Sequence, residues 1–169
     1  MKHTIFLGLG SNLGNKLNNL RTACNELKSK VKIIKFSSIY ETKPFGFNNQ
    51  QNFINAVVKA ETDMLPNELF IFVKKIEKKI GRTKTIKNGP RVIDIDILLY
   101  NDEIINCLIG NDTLIIPHPS MHIRDTVLVP LCELDNQIIH PVLNISMKQL
   151  EENLKDRFII EKLLKNIMR

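Results

Sequence analysis

Apolar residues in the first hundred positions of this chain change their period four times. "HTIFLGLGS" (3–11) is apolar and β-rich, the composition of a strand. "NKLNNLRTACNELKSK" (15–30) then places Leu17, Leu20, Cys24 and Leu27 on one helical stripe. "VKIIKFSSIYET" (31–42) and "NFINAVVKAET" (52–62) return to strand character on either side of the turn-rich "KPFGFNNQQ". "LPNELFIFVKKIEKKIG" (65–81) is helical again. Asp63 is its expected cap, Pro66 suits the first turn, and Leu69, Val73, Ile76 and Ile80 form the buried face. Gly81 ends it, and a basic loop leads into a last strand within "GPRVIDIDILLY" (89–100).

A strand–helix–strand–strand–helix–strand order predicts an α+β, ferredoxin-like core, with an antiparallel sheet and two helices on one face. Beyond residue 100 a hairpin is expected from "DEIIN" and "DTLIIPH", followed by a helical or irregular "RDTVLVPLCEL". A C-terminal helical extension completes the prediction, with "KQLEENLKDRFIIEKLLKNIMR" as an amphipathic helix. No linker, repeat or low-complexity tract interrupts the 169 residues, so a single domain over 1–169 is expected.

The last strand poses a chemical problem. Alternation puts Asp94 and Asp96 on one face and Ile93, Ile95 and Ile97 on the other. An isolated buried carboxylate costs several kcal/mol, and two neighbours also repel. Mg²⁺ takes one or two carboxylates and leaves other positions to water and phosphate. On this motif alone, a metal site and the solvent-facing edge of an amphipathic strand are equally open. The neighbourhood favours the metal: Arg91 lies three residues before Asp94, and Arg82, Lys84 and Lys87 occupy the preceding loop. Carboxylates for a cation beside cations for phosphate is the arrangement a Mg-ATP site requires.

Charge points the same way. The formal net charge is +6, with the densest basic region at "KKIEKKIGRTKTIKNGPR" (74–91), so an anionic partner is expected. Hydrophobic residues make up 43% and charged residues 25%, which is ordinary for a globular protein, and no apolar run reaches membrane-span length. Cys24, Cys107 and Cys132 are odd in number and widely spaced, the pattern of reduced thiols in a cytosolic protein.

Other motifs exclude alternatives. In "GLGSNLG" the glycines fall at 8, 10 and 14, one residue off the dinucleotide fingerprint. A strand-to-helix turn with Ser11 or Asn12 near the helix start is expected instead. Walker A spacing is absent. His118 and His122 in "IIPHPSMHIRD" could suggest zinc, but Pro119 argues against one helix carrying both, and His118 with Arg124 suits phosphate better. His3 and His140 read as surface residues. "YETKPFGFNNQQNFINAV" combines Phe45, Phe47 and Phe53 with Asn52 and Asn55, which suits a flat heteroaromatic ligand or a loop packed on its phenylalanines.

Taken in order, "GLGSNLGN", "YETKPFG…NFINAV", "IEKKIGR", "KNGPRVIDIDIL" and "IPHPSMHIR…VLVPL" resemble the 6-hydroxymethyl-7,8-dihydropterin pyrophosphokinase family over nearly the whole chain. Lys87 to Leu98 satisfies every position of that family's signature. The resemblance implies diphosphate transfer from ATP to the pterin's hydroxymethyl group, releasing AMP, with two Mg²⁺ ions held by Asp94 and Asp96. Arg82 and Arg91 would be catalytic-loop residues closing over the phosphates. Glu77, Lys84, Arg91, Ile97, His118 and Arg124 would serve ATP. Thr42, Pro44, Phe45, Phe53, Asn55 and Asp94 would serve the pterin, with Phe53 stacking and Asn55 as the amide partner. The enzyme would be cytoplasmic, a monomer or weak homodimer, with no nucleic-acid or membrane partner.

Three positions depart from relatives. Thr126 stands where some carry a second pterin-stacking aromatic, so another side chain such as Phe45 covers the ring or pterin binding is weaker. Lys84 replaces an arginine, and Asn88 a lid tryptophan. Two rival readings make distinct demands. An RNA-binding module needs exposed aromatics on its central strands, and a Mg-dependent phosphohydrolase would release phosphate without any pterin.

Overall fold

The computed structural model describes residues 1–164 and 166–168. Its elements are β1 (His3–Ser11), α1 (Lys16–Leu27), β2 (Lys32–Phe36), β3 (Ile39–Thr42), β4 (Phe53–Thr62), α2 (Pro66–Ile80) and β5 (Asp94–Tyr100). There follow β6 (Ile105–Ile109), β7 (Asp112–Ile116), a short 3-10 turn (Met121–Ile123), α3 (Asp125–Leu134), α4 (Met147–Glu152) and β8 (Ile159–Leu164). The main sheet runs β5-β1-β4-β3-β8, with β2 also paired to β4 and every pairing antiparallel. β6 and β7 form the expected hairpin. The α+β, ferredoxin-like prediction therefore holds.

β1 is an interior strand, between β5 and β4, and its apolar residues fill both sides. Ile5, Leu7 and Leu9 join Leu20, Cys24 and Leu27 of α1 and Leu69, Val73 and Ile76 of α2 in one core. Phe6, Val57, Leu98 and Leu99 meet Leu128 and Leu131 of α3 in a second core behind the sheet. Thus α1 and α2 share one face, as expected, and α3 covers the other. Ile80, expected in the first core, is only half-buried there.

Local chemistry explains where the sequence reading needs correction. The strand expected over 31–42 is two strands, because Ser37 takes over the ladder: its N–H donates to the Val57 carbonyl at 2.9 Å and its Oγ accepts from the Val57 N–H at 2.8 Å. Asp63 does not cap α2; Glu68 does, its carboxylate accepting the Leu65 N–H at 2.8 Å. Gly81 ends α2 with φ of 112°, a left-handed turn that a side chain would strain. Ser11 and Asn12 do not cap α1 either: Asn15 does, accepting from the Asn18 N–H. His140 is buried, not on the surface, with its Nδ1 accepting from the Val142 and Leu143 N–H groups.

The largest correction is at the C-terminus. The amphipathic helix expected there is only the short α4, and Ile159–Leu164 instead forms β8 on the open edge of β3. Lys165 and Arg169 of the expected helix lie outside the described residues.

Candidate active site

Gly8 and Gly10 of β1 lie opposite Asp96 and Asp94 on one side, and opposite Val57 and Asn55 on the other. Lacking side chains, the two glycines leave a floor between flanking strands. A Cβ at Gly10 would stand 2.8 Å from Asn55 Oδ1, so the contact is already full. Over this floor opens a cleft of about 750 Å³ lined by Phe45, Phe53, Asn55, Arg91, Asp94, Asp96 and Arg124, among others. A second cleft of about 630 Å³ includes Lys74, Ile97, Thr113 and His118 in its lining. Asp96 lines both.

The first cleft offers a ring-binding surface. Asn55 Nδ2 donates to Thr42 Oγ1 at 2.7 Å, which orients the amide. The Arg124 guanidinium lies 4.5 Å from the centroid of Phe45, and Phe158 meets the same ring edge-on at 5.4 Å.

Around the aspartates, charge is densely cross-linked. Glu77 is buried, and its Oε1 accepts from Arg82 at 2.6 Å and from the Ile95 N–H at 2.7 Å; its Oε2 accepts from Lys74 at 3.1 Å. The same Arg82 nitrogen reaches Asp94 Oδ1 at 2.5 Å, and Arg91 takes the other Asp94 oxygen. Burial pushes the Asp94 carboxyl up, but Arg91 and Arg82 outweigh it and hold the group below the usual carboxylate range. Asp96 goes the other way. Burial and then the Asp94 charge raise it, with His118 and Lys74 only partly offsetting them. The His118 ring lies beside it, with Nε2 3.9 Å from Asp96 Oδ2. Since His118 Nδ1 accepts from the Ser120 N–H, Nε2 is the ring's donor and faces the acid.

Comparison with known proteins gives the family of the chain. The family model for 7,8-dihydro-6-hydroxymethylpterin-pyrophosphokinase matches residues 6–136. The chain belongs to that family. A protein of Aquifex aeolicus named 2-amino-4-hydroxy-6-hydroxymethyldihydropteridine pyrophosphokinase is 44% identical, over 88% of this chain and 90% of its own. One of the same name from Bacillus subtilis is 41% identical, over 82% of this chain and 81% of its own. A crystal structure of a Plasmodium falciparum HPPK-DHPS triple mutant shares the fold, with TM-score 0.76 at 20% identity; the chain covers 44% of that longer protein.

With the pyrophosphokinase family in view, the predicted site residues sort clearly. Arg82, Arg91, Asp94, Asp96 and Glu77 converge on one charge network. Ile97 and His118 line the second cleft, and Thr42, Phe45, Phe53, Asn55 and Arg124 the first. Thr126 and Asn88 line the first as well. Pro44 is buried beside that cleft without lining it, and Lys84 is exposed and lines neither. His122 packs against His140, with ring centroids 6.0 Å apart, so it does not join His118 as a ligand.

Sequence reasoning missed several participants. Lys74 stands one helical turn before Glu77, a spacing that could have been read. Gly8 and Gly10 share a strand face at i, i+2, which was equally legible. Asn12, expected in a turn, is fully buried and joins two loops. Its Oδ1 accepts the Arg91 N–H at 2.8 Å, while its Nδ2 donates to Gln50 Oε1 and the Gln51 carbonyl. Phe158 carried no signal at all.

Proposed function

We propose that this chain transfers diphosphate from ATP to the hydroxymethyl group of 6-hydroxymethyl-7,8-dihydropterin, releasing AMP, in folate biosynthesis. One observation carries the reading: Asp96 is the shared wall of two clefts, one aromatic and amide-lined, the other cationic. A group passed from one occupant to the other must pass that wall, and positioning dominates phosphoryl transfer.

The first cleft suits the pterin, with Phe53 and Phe45 as stacking surfaces and Asn55 as an in-plane partner. The second suits the nucleotide, with Lys74 and His118 as phosphate donors and Ile97 beside the base or sugar. Arg82, Arg91 and Arg124 complete the phosphate contacts, and Lys84 adds charge from the loop. The carboxylates of Asp94 and Asp96, hard oxygen donors on one strand face, fit Mg²⁺, and we assign two ions to them. When bound, magnesium neutralises phosphate charge and polarises the phosphoryl group. Arg82 and Arg91 both pair with Asp94, and in an occupied site the same guanidiniums would be placed to serve phosphate.

No helix among the described residues is long and apolar enough to cross a membrane. Three free cysteines support a reducing, cytoplasmic setting, and a site built within one chain supports a monomer or weak homodimer. The RNA-platform reading loses its basis, because helices cover both sheet faces and Phe6 and Tyr40 are buried.

AMP formation from Mg-ATP tests the proposal. It should require added hydroxymethyl-dihydropterin and stop with excess EDTA. Phosphate release without pterin would convert the reading to a hydrolase, and no AMP from folded protein would overturn it.

A further inference from the structure

We propose that Phe158 is the second aromatic wall of the ring-binding cleft, delivered by the C-terminal strand into the space that Thr126 leaves open. The inference rests on the pterin reading of that cleft and adds a residue to it. Residue 158 lies outside the matched family region, which ends at 136.

Three observations converge. Thr126 and Phe158 line the same cleft, one with a short side chain and one with a ring. Phe45 is held between the Arg124 guanidinium at 4.5 Å and the edge of Phe158 at 5.4 Å with an interplanar angle of 61°. Phe45 remains 40% exposed with Phe158 against its edge, so the two rings together leave an aromatic surface open to a ligand.

The third observation is the anchor. Asp125, between Arg124 and Thr126, is 1% exposed. Its Oδ2 accepts the Phe158 N–H at 2.7 Å and the Ile159 N–H at 2.9 Å. From the other side, the Lys43 N–H donates to the Phe158 carbonyl at 2.8 Å. A buried carboxylate with two backbone donors is a strong, charge-assisted fixture. It fixes residue 158 from the position adjacent to Thr126, and Lys43 links it to the Thr42–Phe45 wall. The backbone at 158 is therefore specified from two sides of the cleft, and the edge contact with Phe45 sets the direction of the ring.

Calorimetry with 6-hydroxymethylpterin, in the presence of Mg²⁺ and a non-hydrolysable ATP analogue, tests this on the full chain. Phe158→Ala should weaken pterin binding about tenfold, the scale of one lost aromatic contact, while binding of the ATP analogue stays unchanged. Adding Thr126→Phe to Phe158→Ala should recover most of the loss. Should Phe158→Ala fold poorly, Phe158→Leu gives the same split in kinetics: a raised pterin KM with kcat and the ATP KM unmoved. Unchanged pterin affinity in the folded variants, or no recovery with Thr126→Phe, overturns the inference alone. A parent protein that binds no pterin overturns the functional reading instead.

Discussion

The two faces of the sheet around β1 and β5 are built from the same strands and obey different rules. On the α1/α2 face, Leu7, Ile95 and Ile97 are buried among aliphatic neighbours. There, energy depends on volume and apolar area, and a lost methylene is felt directly. On the α3 face, beside the apolar cluster of Phe6 and Leu98 under α3, the same residues' neighbours are Gly8, Gly10, Asp94 and Asp96. There, energy depends on which cation faces which carboxylate. Strand alternation thus separates the part that stabilises the fold from the part proposed to handle phosphate, one residue apart along the chain. The separation explains how two acids occur in an aliphatic run without destroying it.

The largest expected effect lies on the charged face. Asp96→Ala should lower AMP formation by about three orders of magnitude or more, roughly 4 kcal/mol of transition-state stabilisation. Its melting temperature should hold or rise, since the variant loses a carboxyl that burial and Asp94 both disfavour. Activity near the parent level would break the comparison at once.

Leu7→Ala probes the opposite face. Urea unfolding should show a loss of about 2–5 kcal/mol, as for other buried Leu→Ala changes, with turnover per folded molecule unchanged. Equal damage to turnover would mean that the faces are not separate.

Gly10→Ala sharpens the boundary between them. Its Cβ would meet Asn55 Oδ1 at 2.8 Å and push the amide away from Thr42. Pterin affinity should fall about tenfold, about 1.4 kcal/mol, while nucleotide affinity stays constant by the same titration.

The smallest effect is a thiol readout of the apolar face. Burial pushes the Cys24 thiol up to about 12 and the Cys132 thiol up to about 11, whereas Cys107 is exposed. A disulfide reagent at pH 8 should titrate Cys107 first and reach Cys24 only after unfolding. Rapid reaction of Cys24 in folded protein would show that the face breathes.

Much of this site could be read along the chain because its parts are local. Asp94 and Asp96 are two residues apart, Arg91 is three before them, and Glu77 and Arg82 bracket the end of one helix. The alternation of strands and helices up to β5 followed from apolar period, but the order of strands across the sheet did not. What escaped the sequence reading shares a physical cause: partners far apart in sequence. Asn12 reaches Arg91 across 79 positions, and Asp125 reaches Phe158 across 33. The tail's apolar spacing suited a helix, but the open edge of β3 offered unpaired backbone groups, and a strand satisfies them.

The amino-acid order by itself determined the alternation of strands and helices, the shared face of the two acids, and the chemistry those acids and their neighbouring cations can support. Only the tertiary structure decided that Asp96 walls two clefts, that Arg82 and Arg91 both grip Asp94, and that Phe158 closes the aromatic side. Periodicity fixes which way a side chain points from its own backbone; which distant backbone lies opposite depends on packing, and no local pattern encodes it.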